Sequence, residues 1–241
     1  VDSPGGSAVA SDVIWREVYL TKKEKPIVVS MSDMAGSGGY WVSMAADKIV
    51  AQPQSLTGSI GVISGKFNMA RFYEKLGITS EKITYGERAD LYSSHRSFTS
   101  EERALLKKEI LWIYDKFLAK VADGRNMTKE EVDRIGKGRV WTGSQAKEHG
   151  LVDELGGLSR SIELAKELAG IPAEEGVRLV IWPKKISLWE AFMGRWFAST
   201  KTGLHPELEK ILSVFKMLVS DFVQASSFVF EDVFEFVPIR S

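Results

Sequence analysis

Apolar residues along the chain fall into two rhythms, short β-branched runs and longer stretches with a three-to-four residue period. Val9, Val13, Ile14, Val18 and Leu20 recur at helical spacing, so Ser7 to Tyr19 is predicted as a helix. It ends before the charged loop Thr21-Lys22-Lys23-Glu24-Lys25. The run Pro26 to Met31 is apolar on both sides, as a buried parallel strand requires. A Gly-rich turn follows, then a helix to about Ala46 and a second short strand, Lys48 to Ala51. Strand, helix and strand with connections this short form a βαβ unit. Leu56 to Ile63 alternates small and β-branched residues and predicts another turn and strand. Phe67 to Leu76 reads as a helix closed by Gly77, and Ser80 to Tyr85 as a strand leading into Gly86-Glu87-Arg88-Ala89-Asp90.

Helices dominate the next stretch. Thr99 with Glu102, Thr128 with Glu131, and Thr142 with Gln145 each place a hydroxyl three residues before an acid or amide, the capping-box pattern of a helix start. Gly157 to Ala169 is predicted as one more helix, stopped by Gly170 and Pro172, and Val177 to Trp182 as a late strand. Past Pro183 the texture changes: Trp189, Phe192, Trp196, Phe215, Phe222 and Phe236 are interspersed with Lys216, Asp221 and Glu235. Residues 1–183 are therefore expected to form one α/β domain, and 184–241 an amphipathic, helical, aromatic-rich extension. Its apolar face calls for an oligomer contact or the rim of a substrate cavity, against the alternative of a plain intramolecular cover over the core.

Composition narrows the chemistry. With 44% hydrophobic and 27% charged residues, the 241-residue chain has the balance of an ordinary globular protein. Lys+Arg and Asp+Glu both number 32, so no global basic field exists to attract nucleic acid. Cysteine is absent, which removes disulfides, thiolate catalysis and Cys-based metal sites. His95, His149 and His205 lie far apart without ligand spacing, so no metal site and no cofactor are expected. No 18-residue uncharged apolar run predicts a membrane span. The opening Val1-Asp2-Ser3-Pro4-Gly5-Gly6 reads as the end of a strand and its turn, so the chain is expected to be part of a longer polypeptide.

One serine stands at the turn that organises these elements. In Asp33-Met34-Ala35-Gly36-Ser37-Gly38-Gly39-Tyr40, glycines let the backbone bend between strand and helix, and the helix start offers free N–H groups and a positive dipole end beside a hydroxyl. Ser37 is the candidate nucleophile; the alternative is a serine that caps a helix. Ser59, in Leu56-Thr57-Gly58-Ser59-Ile60-Gly61-Val62, is a second candidate hydroxyl, against the alternative of a turn serine bonding its own backbone. A serine nucleophile needs a base, and histidine is the usual one. His95 sits in the polar loop Ser93-Ser94-His95-Arg96-Ser97, where an exposed position is expected, so a desolvated lysine is the better candidate.

Five stretches in order resemble the signal peptide peptidase A family, also called protease IV. They are Asp2-Ser3-Pro4-Gly5-Gly6, Met31 to Tyr40, Leu56 to Val62, Gly138-Arg139-Val140-Trp141-Thr142-Gly143, and Gly150 to Gly157. The resemblance covers about residues 1–183. It implies a ClpP/crotonase-like fold of spiralled ββα units and a serine endopeptidase that cleaves signal-peptide remnants and other apolar peptides with a Ser-Lys dyad. Ser37 matches the family's nucleophile, and the Gly5-Gly6 turn the loop that forms the oxyanion hole. The expected donors are the Gly6 and Ser37 amides. Ser59 matches the hydroxyl that positions the lysine.

The general base departs from the pattern. Single-unit members carry the lysine in the turn that here reads Gly86 to Asp90, and Ala89 occupies its place. Arg88 cannot substitute, because guanidinium does not deprotonate in the useful range. Long members consist of two repeats, with the serine in the C-terminal one and the lysine in the N-terminal one, and this chain is similar to that C-terminal repeat. The resemblance further implies homo-oligomers, membrane association through the missing part, and the extracytoplasmic face of a bacterial inner membrane, or a thylakoid membrane. Lys82 and Lys66 are the in-chain alternatives for the base. Two rival functions stand beside this one: a noncatalytic peptide-binding or assembly module, which Ala89 favours, and a crotonase-type acyl-CoA enzyme, which leaves the serine motif without a purpose.

Overall fold

The computed structural model describes residues 1–182 and the strand Phe234–Phe236. The chain divides into two compact units, one of residues 1–175 with 235–241 and the other of residues 176–234. The expected extension over 184–241 lies outside the described residues, that one strand excepted.

The first unit is built by repetition. Strands β1 (Val28–Ser30) and β2 (Met34–Gly36) lead into helix α2 (Gly38–Ser43); β3 (Lys48–Ala51) and β4 (Leu56–Gly58) repeat the pair, after α1 (Ala8–Thr21) has opened the chain. Corresponding strands stack in parallel, β1 on β3 and β2 on β4, with Val29 opposite Ile49 and Ala35 opposite Thr57. The third turn of the spiral supplies β6 (Val140–Thr142), antiparallel to β4, then α6 (Gly143–Glu148), β7 (Glu154–Leu155), parallel to β3, and α7 (Leu158–Leu168). Two small sheets result, ordered β1-β3-β7 and β2-β4-β6. This is the spiralled ββα arrangement of a ClpP/crotonase-like fold. Residues 1–3 lie along β2 as an incipient strand, with a bridge between Ser3 and Ala35.

All three capping boxes form. Thr99, Thr128 and Thr142 accept from the backbone of Glu102, Glu131 and Gln145, starting α4 (Ser100–Arg125), α5 (Lys129–Ile135) and α6. Each such cap contributes about 1 kcal/mol. Helix α4 buries Leu106, Ile110, Tyr114, Phe117, Leu118 and Val121 along one stripe. Its Phe117 meets Trp41 of α2 at 4.4 Å between ring centroids, so the long helix holds the short one that carries the serine turn. Tyr40, fully buried, donates its hydroxyl to Leu151 O at 2.9 Å and fixes α2 from the other side; burial pushes its ionisation well above the ordinary tyrosine value.

Several predicted elements differ. The run predicted as a helix from Phe67 contributes Gly65–Phe67 as β5 and only Ala70–Lys75 as α3, because Asn68 accepts from the Ala70 amide and turns the chain first. Ser80 to Tyr85 forms no strand. With Ile83 97% and Tyr85 100% exposed, no neighbouring strand is there to pair with it among the described residues. Val177 to Trp182 likewise forms no strand and is largely exposed. Helix α1 buries only Ser11 and turns Val9, Val13 and Ile14 outward. Among the described residues no helix is long and apolar enough to cross a membrane.

Candidate active site

Ser37 stands alone between β2 and α2, with φ 52° and ψ −115°. A non-glycine residue at such a φ carries steric strain that surrounding contacts must hold in place. Here they are backbone contacts. A Cβ at Gly5 would lie 2.5 Å from Gly38 N and 2.8 Å from Ser37 Cβ, and one at Gly39 would lie 2.5 Å from Ser3 O. The Gly5-Gly6 turn is thus pressed onto the serine turn at a distance no side chain permits. Ser37 itself is half-buried, and its hydroxyl makes no hydrogen bond among the described residues.

The amides around it divide into engaged and free. The Ser37 N–H, expected as an oxyanion donor, is taken: it donates to Gly58 O at 2.9 Å, extending the pairing of β2 with β4. That amide is therefore already engaged in the sheet before any substrate arrives. The next amide is different. Gly38 is the first residue of α2, so its N–H has no intrahelical acceptor, and it meets none elsewhere among the described residues. A Cβ at Gly38 would lie 3.2 Å from Gly6 N, which places the two glycines' backbones side by side, and the Gly6 amide is also without an acceptor.

Ser37, Gly6, Gly38 and Ser59 line one cleft of about 1070 Å³. Ser59 is held by its backbone, donating to Arg139 O at 2.7 Å, and its φ of 49° is again strained. Its Cβ would stand 3.4 Å from a Cβ on Gly36, so the second hydroxyl flanks the serine turn. Apolar walls come from Val62, Ile63, Leu106 and Ile110, and one lysine, Lys137, lines the cleft. Its ammonium pairs with Asp133 at 2.9 Å.

None of the lysines weighed from the sequence reaches the serine. Ala89 lies exposed in the turn after Gly86 and does not line the cleft. Lys82 is half exposed and paired with Asp90. Lys66 is 6% exposed, donates to Leu91 O at 2.9 Å and stands 4.3 Å over the Phe98 ring. Burial, with the Arg96 charge beside it, pushes its ammonium below the ordinary lysine value. It does not line the cleft. His95 is exposed and stacks on Tyr73 at 4.9 Å. Among the described residues no group of His, Asp and Glu could hold a metal ion.

Two features escaped sequence reasoning. The Gly38 amide could have been found by asking which helix-start donors the adjacent strand leaves free. The other is Lys137, with φ 58° between Gly136 and Gly138, and its signal was the Gly-Lys-Gly triplet itself.

Residues 19–172 match Peptidase family S49. The chain belongs to this family. It is 46% identical over 181 residues to "Serine protease SPPA, chloroplastic" of Arabidopsis thaliana, covering 75% of this chain and 27% of that protein. To "Protease 4" of Salmonella typhi it is 41% identical over 170 residues, covering 70% and 27%. The chain therefore spans about a quarter of the length of these S49 relatives. Among solved structures, a ClpP1 mutant from Listeria monocytogenes is similar at a TM-score of 0.41 and 15% identity, covering 67% of this chain and 74% of that one.

Proposed function

We propose that the chain is the serine-bearing part of an endopeptidase that works through a Ser-Lys dyad. One observation supports this above the rest: an unbonded serine hydroxyl at a strained strand-to-helix turn, in a cleft, beside the two unengaged amides of Gly6 and Gly38. A neutral lysine amine accepts the Ser37 proton as Oγ bonds to the peptide carbonyl carbon. The carbonyl oxygen takes the negative charge against the Gly6 and Gly38 N–H groups, each such donor contributing about 3 kcal/mol in the transition state. Collapse breaks the C–N bond, the lysine ammonium protonates the leaving amine, and water then hydrolyses the acyl-enzyme. Ser59 accepts from the lysine ammonium and positions it.

The lysine itself is contributed by an N-terminal repeat. Ala89 stands where a single-unit member has lysine, and the cleft's own Lys137 is held by a carboxylate, which favours this reading. Val62, Ile63, Leu106 and Ile110 along the cleft suit apolar peptides such as signal-peptide remnants. A homo-oligomer associated with a membrane through another part of the polypeptide completes this reading. The test is direct: assay this chain alone on a fluorogenic apolar peptide, then add the N-terminal repeat. Activity is expected only in the mixture. Full activity of the lone chain overturns the shared dyad, and a mixture in which Ser37→Ala retains activity overturns the nucleophile.

A further inference from the structure

Four non-glycine residues hold a positive φ among the described residues: Ser37 (52°), Ser59 (49°), Asn126 (52°) and Lys137 (58°). Asn126 is the left-handed C-cap of α4, a position where asparagine ends helices routinely. The other three line the same cleft. Lys137 directly follows Gly136, the C-cap of α5, where a left-handed residue ends the helix and glycine would adopt the conformation without strain.

The surroundings say what the strain secures. Lys137 N–H donates to Tyr114 Oη at 3.0 Å, and that hydroxyl donates to Asp133 Oδ1 at 2.8 Å. Neighbouring backbone ties the loop to the catalytic side: Gly138 N–H donates to Ile60 O at 2.8 Å, and Ser59 N–H to Arg139 O at 2.7 Å. Lys137 is thereby held next to the Ser59 turn. Its side chain is 44% exposed, so no burial demand explains it, and Asp133 already has Tyr114 as a partner. Of three ammonium N–H bonds one points to Asp133 Oδ2, and the others have no partner among the described residues. Arg139, the other cation of the cleft, turns its Nη1 onto the carbonyls of Arg134 and Gly136 and so braces the same loop. An ammonium anchored by a carboxylate is a donor and not a proton acceptor.

We propose that Lys137 is a peptide-binding residue, donating to main-chain carbonyl oxygens of a peptide extended along the cleft and so setting the scissile carbonyl over Ser37. An apolar peptide offers few other acceptors, which is why the main chain is the target. The inference rests on the peptidase reading of this cleft.

Its test uses the intact protein, with Lys137→Gly, Lys137→Arg and, as the control for that reading, Ser37→Ala. Two fluorogenic peptides serve as substrates, one neutral and apolar and one carrying a single added glutamate. Lys137→Gly is expected to melt no lower than the parent, because it relieves the strained φ, while KM rises roughly tenfold on both peptides and kcat stays within about twofold. Lys137→Arg is expected to recover most of the KM. An unchanged KM, a loss confined to the glutamate peptide, a lowered melting point with proportionate loss of activity, or a kcat as low as that of Ser37→Ala each overturns the assignment. Activity surviving in Ser37→Ala instead overturns the peptidase reading, so the two failures are distinct.

Discussion

The Ser37 turn and the segment from Ile78 to Phe98 are two ways of holding a loop. Around Ser37 backbone presses on backbone: a Cβ at Gly5 would come 2.5 Å from Gly38 N, and one at Gly39 2.5 Å from Ser3 O. The second segment is open, with Ile83 and Tyr85 almost wholly exposed, and charge holds it. Arg96 forks between Asp90, at 2.7 and 2.8 Å, and Glu102, at 2.7 and 2.6 Å, with Lys82 on the same Asp90. Contact of the first kind carries no titrating charge, whereas the pairs on Asp90 and Glu102, whose side chains are 14% and 10% exposed, weaken as acid protonates the carboxylates. The Ser37 turn is therefore built rigidly, and the turn from Gly86 to Asp90 is built to yield.

Two glycines with nearly the same torsion break the comparison most sharply. Gly5 has φ +102° and would press a Cβ into Gly38 N, whereas Gly86 has φ +100° and nothing within 4 Å. Gly86→Ala is expected to lose only the torsional preference, about 1–2 kcal/mol, with kcat/KM of the intact protein unchanged. Gly5→Ala is expected to displace the Gly38 amide as well and to lower kcat by about 10²–10³, the size of a lost oxyanion donor. Urea melts and active-site titration separate the two. Equal loss of activity in both variants would show that torsion, not contact at the serine, limits the site.

The same contrast explains what was legible in the sequence. Motifs that work through local chemistry read directly: three capping boxes, the Gly5-Gly6 turn, and the small residues that let β2 bend into α2. Strand β1 reads as a two-sided apolar run, and β3 as the second short strand of the same unit. Illegible features depend on partners far along the chain. The Ser37 amide is lost to Gly58, which a turn motif cannot reveal, and the two-residue strand β7 has no periodicity to detect. Ser80 to Tyr85 has strand composition but no edge to join, and α1 carries a helical period whose apolar residues face outward. Periodicity reports amphipathicity and does not report which face finds a neighbour.

Acid should release the charged segment first. The Glu102 carboxyl is pulled down to about 2 by hydrogen bonds from Arg96 and from the Thr99 backbone, and Asp90 is held well below the ordinary carboxylate range by Arg96 and then Lys82. Both groups have folded values depressed below their unfolded ones. Their contribution is therefore complete above the unfolded carboxylate range near pH 4 and is lost as pH falls through the folded values. Amide exchange across residues 78–98 is expected to be constant from pH 7 to about 5, after correction for intrinsic rates, and to accelerate roughly tenfold between about pH 4 and 2. Amides of Met34 to Ser43 should keep their protection over the same interval. Simultaneous loss in both regions would mean that the ion pairs support the whole domain.

The smallest effect is expected at Lys82. Its ammonium meets Asp90, but the side chain is 55% exposed, and Asp90 keeps both of its Arg96 hydrogen bonds when the lysine is removed. An exposed pair of this kind adds little, and the remaining fork still fixes the loop. Lys82→Ala in the intact protein should therefore leave kcat/KM within about twofold and residues 78–98 as protected as before, because the group contacts neither the cleft nor the serine turn. A base behaves otherwise: its removal costs orders of magnitude in kcat, and the loss shifts with pH as the missing titration disappears from the profile. A collapse of kcat in Lys82→Ala with the melting curve unchanged would place the proton acceptor on this segment and make the loop's charged, yielding construction part of the chemistry.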